Sequence, residues 1–286
     1  MSMGSAETAT RRLNIAQSFN PIGSILGILV SKYFILQDIS LYSVSGTYAG
    51  LGVVLLGIMV VMLFARMPEG KNEDDNENEK PDSLKATLQR LFRNRKYAWG
   101  VVAQFFYVGA QIGVWSFTIR LVMKDLGYVE AQAATLYLIS IIGFCASRFV
   151  YTWLMKFVAP VRLLALGSVS SAVCALLVVL TGGWVAVVAL ILISVFMSLM
   201  FPTIYGIALG PVSDSGQAED VKIGASGLIM AILGGALLTP LQGMVSDATG
   251  SINMSYLVPL GCFVVVMLYA LFVSKDEKIL SDIDPR

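Results

Sequence analysis

Two sets of polar side chains lie at helical spacing inside hydrophobic stretches, and they are the residues best suited to bind a ligand. They are Asn14, Gln17, Asn20 and Ser24 in the first set, and Gln104, Tyr107, Gln111, Trp115 and Thr118 in the second. At 100° per residue, each set covers about a third of a helix circumference or less. Amides and hydroxyls beside a tryptophan suit a neutral polyol, because they pair with its hydroxyls while the ring covers its C–H face. Hydrogen bonding between neighbouring helices is the competing interpretation, but two stripes of this length favour a polar cavity.

The composition places these stripes in a membrane. Hydrophobic residues make up 56% of the 286 residues, charged residues make up 14%, and the mean hydropathy is +0.75, which excludes a soluble globule of this length. The sequence contains no histidine, and its three cysteines all fall in apolar stretches. We therefore expect no disulfide framework, no metal site and no cofactor.

Hydrophobic stretches long enough to cross a bilayer organise nearly the whole chain. We predict eight transmembrane helices, at residues 12–36, 43–64, 97–122, 131–157, 161–180, 184–209, 223–245 and 252–273. Pro202 and Pro240 should interrupt the sixth and seventh of them, as in transporters whose helices break near a midplane site. The fold class is thus an all-α membrane protein.

Basic residues predict the orientation. Sixteen lysines and arginines lie at one set of span ends and three at the other. By the positive-inside rule, both termini and the segment between the second and third spans are cytoplasmic. An inner (plasma) membrane protein with several spans is expected.

The segment between the second and third spans has two parts. Residues 70–82 are acidic and contain no apolar residue, which predicts a disordered linker. Residues 83–96 place Leu84, Leu88, Leu91 and Phe92 at helical spacing among basic side chains. This pattern favours a helix on an anionic membrane surface, with an ordinary solvated helix as the alternative.

Arg148 is the only charged residue well inside a predicted span. It falls about two turns from the cytoplasmic end of the fourth span. A snorkelling or gate-region structural role is therefore expected rather than contact with a substrate.

Five segments carry a recognisable pattern, and they follow in this order: RLNIAQSFNP (12–21), YVGAQIGVWS (107–116), SRFVYTW (147–153), MFPTIY (200–205) and TPLQGMVSDATG (239–250). Together they resemble the fucose–galactose–glucose:proton symporter family of the major facilitator superfamily. The resemblance implies two six-helix halves joined by a cytoplasmic linker and working by alternating access. It implies uptake of L-fucose or a related hexose, driven by a proton gradient.

Aligned by these motifs, the first span here resembles the family's fifth and the third resembles its seventh. The expected domains are a partial N-terminal half with two spans (1–66), a cytoplasmic linker with an amphipathic helix (67–96), a six-helix C-terminal half (97–273) and a cytoplasmic tail (274–286). In the family, the four preceding spans supply the acidic residues that couple protons to sugar, and no Asp or Glu lies mid-span in this sequence. The expectation is therefore a fragment whose transport is impaired.

The resemblance also implies roles for individual residues. Asn20 matches a sugar-contacting asparagine, Gln17 lies one turn earlier, and Gln111 and Trp115 belong to a cavity-facing motif. The substrate-binding residues predicted from the stripes and the motifs are Gln17, Asn20, Gln104, Gln111, Trp115 and Tyr205. Gate or structural roles are predicted for Arg148 and Asp247.

Two other classes of function compete with a sugar transporter. A non-transporting membrane fragment that associates with or regulates a full-length porter is the first. An enzyme is the second, and it is not expected because the sequence has no acidic pair within a span and no nucleophile–base arrangement. The expected partners are a small sugar, the lipid bilayer and possible association with a full-length porter; no nucleic acid is expected.

Overall fold

The computed structural model describes residues 15, 17, 20–30, 33, 34, 40–64, 84–213 and 218–283 of the chain. The regular elements in these ranges are all helices, namely α1 (Asn20–Val30), α2 (Leu41–Phe64), α3 (Leu84–Arg93), α4 (Arg95–Leu126), α5 (Glu130–Leu154), α6 (Pro160–Leu180), α7 (Gly183–Met197), α8 (Met200–Ser213), α9 (Ala218–Met230), α10 (Leu233–Thr249), α11 (Ile252–Ser255) and α12 (Leu257–Ile283). The acidic segment 70–82, predicted to be disordered, lies outside the described residues.

Seven segments of the described chain are long and apolar enough to cross a membrane. They agree with the second to eighth predicted spans: Leu41–Phe64, Arg95–Leu126, Glu130–Leu154, Pro160–Leu180, Gly183–Ser213, Glu219–Thr249 and Ile252–Asp276. The first predicted span contains α1 and helical positions at Ile15, Gln17, Tyr33 and Phe34, and its other residues are not described.

Helix α4 is the centre of the six-helix half. It packs against α5, α7, α8, α10 and α12, and its apolar residues are buried along most of its length. Asn94 starts the helix, since its side chain accepts hydrogen bonds from the backbone N–H groups of Lys96 and Tyr97. Gly127 ends it in the left-handed conformation, at φ 66°. The length of α4 lets it carry the whole predicted polar stripe through the bundle.

Glycines bring α4 and α10 into close contact. A side chain at Gly109 or Gly113 would overlap Leu238 or Gln242, and one at Gly234 would overlap the backbone carbonyl of Phe105. Such close approach of two backbones is what small residues permit in membrane helices. The interface between α4 and α10 is therefore tightly packed.

The sixth, seventh and eighth predicted spans are each divided into two helices in the structure. The break between α7 and α8 falls at Ser198 and Leu199, shortly before Pro202, as the sequence predicts. The prediction for Pro240 is wrong, because α10 continues through this proline. That span breaks instead at Ala231 and Ile232, between α9 and α10.

Candidate functional site

The polar stripe of α4 faces the interior of the six-helix half. Its fully or nearly fully buried members are Gln104, Tyr107 and Thr118, and its half-buried members are Gln111 and Trp115. The Tyr107 hydroxyl donates to the backbone carbonyl of Met197 at 3.1 Å, so the stripe lies against α7. Because a helix follows 3.6 residues per turn, the burial of these side chains shows that the stripe is turned away from lipid.

Gln104 is the member whose polar atoms are left without partners. Its side chain is fully buried, and neither amide atom has a hydrogen-bond partner among the described residues. Leaving a buried amide unpaired costs about 1–3 kcal/mol per group, and such groups call for an explanation. A hydroxyl-bearing ligand would pair with both amide atoms only in a conformation that opens space beside them, because neither atom is accessible in this one.

Trp115 is held in place by a small cluster from α5 and α7. Its indole N–H donates to Ser194 Oγ at 3.3 Å, and Ser194 Oγ also accepts from Ser140 Oγ at 2.6 Å. The indole packs edge-on to the Phe144 ring, with ring centroids 5.0 Å apart. Because the N–H is already bonded to the protein, the half-buried ring offers a ligand its face rather than its donor. Stacking on the C–H face of a sugar is the contact that this arrangement allows.

The break between α7 and α8 is stabilised by side chains from two other helices. Pro202 has no N–H, so it cannot bond the carbonyl of Ser198 four residues earlier. Arg148 of α5 replaces the missing donor, with Nε 2.8 Å from that carbonyl oxygen. The neighbouring carbonyl of Met197 accepts from Tyr107, as described above. The polar residues at this level of the bundle thus cap a helix interruption.

Arg148 also links the six-helix half to the first span. Its side chain is only 3% exposed, its Nη1 donates to the backbone carbonyl of Gln17 at 2.8 Å, and its guanidinium carbon lies 4.8 Å from the Phe144 ring centroid. No described carboxylate lies within ion-pair distance of it. The guanidinium does not snorkel to water, so that part of the prediction is wrong. Its contacts fit the gate or structural role, which stays a prediction.

The structure brings some of the predicted site residues together and separates others. Gln17 is half-buried, and its carbonyl places it beside Arg148. Asn20 begins α1, but its side chain lies outside what the structure describes. Gln104, Gln111 and Trp115 share the stripe on α4. The candidate site therefore has two polar parts, which are the stripe on α4 and the hydrogen bonds that Arg148 makes to backbone carbonyls.

Tyr205 lies at the level of Gln104. Helix α8 crosses α4 with Phe201 beside Tyr107 and Ala208 against Gly100, which puts the half-buried Tyr205 between these two contacts. Its role in binding stays a prediction. Asp247 is exposed near the end of α10, so it does not join the buried polar residues.

The cluster around Trp115 contains residues that the sequence does not single out. Ser140 and Ser194 are small hydroxyls in apolar stretches, and Phe144 looks like any core residue. Their contribution depends on which turns of α5 and α7 meet α4. That information is tertiary, so the sequence offered no signal beyond the presence of serine in a span.

An open groove of about 540 Å³ lies between the end of α1 and α2. Its walls include Val30, Tyr42, Gly46, Leu51 and Val54, and they are mostly apolar. It contains none of the predicted site residues. Its polar side chains are Tyr42, Ser43 and Thr47, and the Ser43 and Thr47 hydroxyls already bond to neighbouring residues of the same segment. Its described lining residues offer no side-chain amide and no charged group, so the α4 stripe remains the candidate site.

Comparison with known proteins agrees with this architecture. Residues 3–218 match the Major Facilitator Superfamily. The chain is 36% identical to the L-fucose-proton symporter of Haemophilus influenzae, with 94% of this chain and 68% of that protein covered. It is 34% identical to a putative glucose/galactose transporter of Helicobacter pylori, with 94% of this chain and 67% of that protein covered.

A crystal structure of the Escherichia coli fucose:proton symporter superposes with a TM-score of 0.79 at 31% identity, covering 94% of this chain and 70% of that one. The chain thus spans 67–70% of the length of these three relatives. The relatives are transporters, so they favour a transporter over an enzyme or a non-transporting fragment. They confirm the resemblance predicted from the five sequence motifs: the chain belongs to the Major Facilitator Superfamily, in the group of the fucose and glucose/galactose transporters.

Proposed function

We propose that the protein carries L-fucose or a related hexose across the membrane by alternating access, with uptake driven by a proton gradient. Family membership supports transport. The functions of the relatives, L-fucose-proton symport and glucose/galactose transport, support a hexose as the substrate. Proton coupling enters the proposal from the symporters among them. The impaired transport expected from the lack of a mid-span Asp or Glu stays a prediction.

The observation that carries the choice of substrate is the buried stripe on α4. A neutral sugar has both hydroxyls and an apolar face, and it carries no charge for the site to balance. Gln104 offers an unpaired donor and an unpaired acceptor, while Trp115 offers a ring whose N–H is already bonded. An anionic substrate would require a cation facing it, and the buried Arg148 already donates to two backbone carbonyls.

The orientation belongs to the proposal as well. The structure places Arg90, Lys96 and Lys222 at one end of the bundle, close to Asp220 and Asp276. Lys124 and Asp125 lie at the opposite end with α11. The positive-inside rule supports a cytoplasmic position for the basic end, and the proposal has both termini on that side.

Partners other than the sugar remain predictions. No residue of α2 is buried, so in a membrane lipid or another polypeptide would cover its surface. Association with a full-length porter would be one such arrangement.

A binding experiment on the purified chain in detergent tests the proposal. Isothermal titration calorimetry with L-fucose, D-galactose and D-glucose should give binding to at least one of these hexoses. A disaccharide or a charged sugar phosphate should give none. Failure to bind any of the three hexoses, or preference for the phosphate, would contradict the assigned substrate class.

A pair of tryptophan variants tests the location of the site. Trp115→Ala removes the ring at the stripe, and Trp99→Ala removes an exposed ring from the same helix. Stacking and burial of a sugar against an aromatic ring contribute about 1–2 kcal/mol, so Trp115→Ala should weaken binding about 5- to 30-fold. The Trp99→Ala variant should bind as the parent does. Equal affinities in the two variants would remove Trp115 from the site.

A further inference from the structure

Helix α3 is held on the bundle by one of its faces. Thr87 and Leu91 of that face are buried. Beside them, Arg90 forms a two-pronged ion pair with Asp220 at the start of α9, with Nε–Oδ2 and Nη2–Oδ1 distances of 3.0 and 2.8 Å. Asp220 is itself buried. The helix is therefore docked in a fixed rotation and is not an ordinary solvated helix.

The fixed rotation leaves a second, apolar edge without cover in the described structure. Leu84, Leu88 and Phe92 are 61%, 39% and 63% exposed. They follow at intervals of four residues, so they form one line along the helix. Lys85, Gln89 and Arg93 are exposed as well, and the helical period places them in that order beyond this line, on the side away from the bundle. The apolar edge is thus bordered by protein on one side and by positive charge on the other.

The apolar edge of α3 lies at the level of the membrane–water interface. Asn94 separates α3 from α4, and Trp99, 56% exposed, occupies the second turn of α4. Tryptophan at this position of a span is typical of the membrane–water interface. Lys96 pairs with Asp276 near the end of the last span at 3.9 Å. Helix α3 is therefore placed beside the headgroup region of the bilayer.

We propose that this edge of α3 binds anionic phospholipid. The acyl chains would contact Leu84, Leu88 and Phe92, and the phosphate would pair with Lys85 and Arg93. A helix of ten residues is about 15 Å long, and a single line of three side chains is far too small for a stable protein interface. A row of apolar side chains flanked by cations matches the two halves of an acidic lipid.

The ion pair with Asp220 gives bound lipid a structural consequence. Lipid on the outer edge of α3 stabilises the docked rotation, because only that rotation presents the three apolar side chains to the bilayer. The docked helix is in turn bonded to the start of α9. The Arg90–Asp220 ion pair thus links the lipid site to the span that runs from α9 into α10. This link does not depend on a bound sugar.

Spin labels on the full chain test the position of the edge. In a background with Cys145, Cys174 and Cys262 changed to alanine, one label replaces Leu88 on the edge. The comparison label replaces Gln89, which is exposed between Lys85 and Arg93 and therefore marks the headgroup side of the edge. In nanodiscs of phosphatidylcholine with phosphatidylglycerol, position 88 should be more accessible to oxygen than to a water-soluble nickel complex, and position 89 should show the reverse.

Two results of this measurement would overturn the proposal. If position 88 behaved as position 89 does, the edge would face water. If position 88 were closed to both reagents, protein rather than lipid would cover it. Leu88 and Gln89 are at the surface, but Cys174 and Cys262 of the cysteine-free background are buried. The labelled proteins are therefore compared only after size-exclusion chromatography shows that they are as monodisperse as the parent.

Native mass spectrometry tests the choice of an anionic headgroup. Each basic residue near an anionic surface contributes about fivefold in affinity, so Lys85→Gln with Arg93→Gln should reduce phosphatidylglycerol binding about 25-fold. Phosphatidylcholine binding should not change. The matched control, Lys222→Gln with Lys275→Gln, removes two exposed charges outside α3 and should retain the lipid. Equal loss in both double variants, or no preference for phosphatidylglycerol in the parent, would overturn the proposal.

Discussion

Replacing Gln104 by leucine should raise the stability of the protein while weakening its binding of sugar. The amide is fully buried on α4 and neither of its polar atoms is paired in the described structure. Leucine has a similar volume and no polar atom, so the substitution removes a desolvation penalty of about 1–3 kcal/mol in the absence of ligand. For a chain of this size, that corresponds to a rise in Tm of about 2–10 °C.

The same substitution removes both hydrogen bonds that the amide could make to a hexose. Loss of such contacts costs about 1–3 kcal/mol, which is roughly 5- to 150-fold in Kd. Thermal unfolding in detergent, with and without L-fucose, measures both effects on one sample. The stabilisation by saturating sugar should shrink in Gln104→Leu even though the ligand-free Tm rises.

Gln242 provides a matched control. It is fully buried on α10 with its Oε1 unpaired, but its Nε2 donates to Ser255 Oγ at 3.4 Å and it faces Gly113 rather than the stripe. The Gln242→Leu variant should change Tm without changing the Kd for sugar. A lower ligand-free Tm in Gln104→Leu would show that the amide is paired after all. An unchanged Kd would show that it does not contact the substrate.

Three further predictions concern the Trp115 cluster, the helix break and the orientation. Ser194→Ala removes the acceptor of the Trp115 indole N–H, so it should weaken sugar binding about fivefold or more and shift the tryptophan emission. Ser194→Thr keeps the hydroxyl and should keep the parent's affinity and emission. Parent-like binding in the alanine variant would contradict the positioning role of Ser194. Arg148→Lys keeps the charge but cannot supply two fixed donors, so thermal unfolding should show a loss of about 1.5–3 kcal/mol, and full stability would refute the capping argument. On a cysteine-free background in intact cells, a membrane-impermeant reagent should label Ser40→Cys but not Asp75→Cys, and labelling at 75 would reverse the proposed orientation.

Hydropathy predicted the transmembrane helices well because bilayer thickness alone dictates their length. Boundaries such as Pro160–Leu180 fall within a residue of the prediction. The same sequence pattern could not predict where every span breaks. Pro240 deprives the helix of only one N–H donor, and α10 continues through it. The break at Ala231 and Ile232 comes just before Gly234, whose close contact with the Phe105 backbone arises only when α4 and α10 pack together.

The candidate site was predictable in part for a similar reason. The period of 3.6 residues correctly grouped Gln104, Tyr107 and Trp115 on one face, because that period is a property of a single helix. It could not place Tyr205 relative to α4, because that depends on how far α8 is displaced along α4. It gave Arg148 the wrong environment, since the carbonyl that holds its Nε is freed by Pro202 of another span. Both positions depend on the relative placement of helices.

The contacts also indicate where an alternating-access motion can occur. Helices α4 and α10 meet at Gly109, Gly113 and Gly234 with little free space, so sliding one along the other would create overlaps of several side chains. The first span meets the six-helix half through α5, and Arg148 contributes a charge-assisted hydrogen bond to the Gln17 carbonyl. Such a bond is worth about 1.5–3 kcal/mol, which binding of a substrate can offset.

We therefore expect the halves to separate between α1 and α5 while α4 and α10 move as one body. Spin-label pairs on the full chain test this, with one pair at Ile22 and Phe149 and a control pair at Trp99 and Met230, all exposed positions. Adding sugar should shift or broaden the distance distribution of the first pair and leave the second unchanged. A change confined to the second pair would place the moving interface inside the six-helix half, against the packing argument.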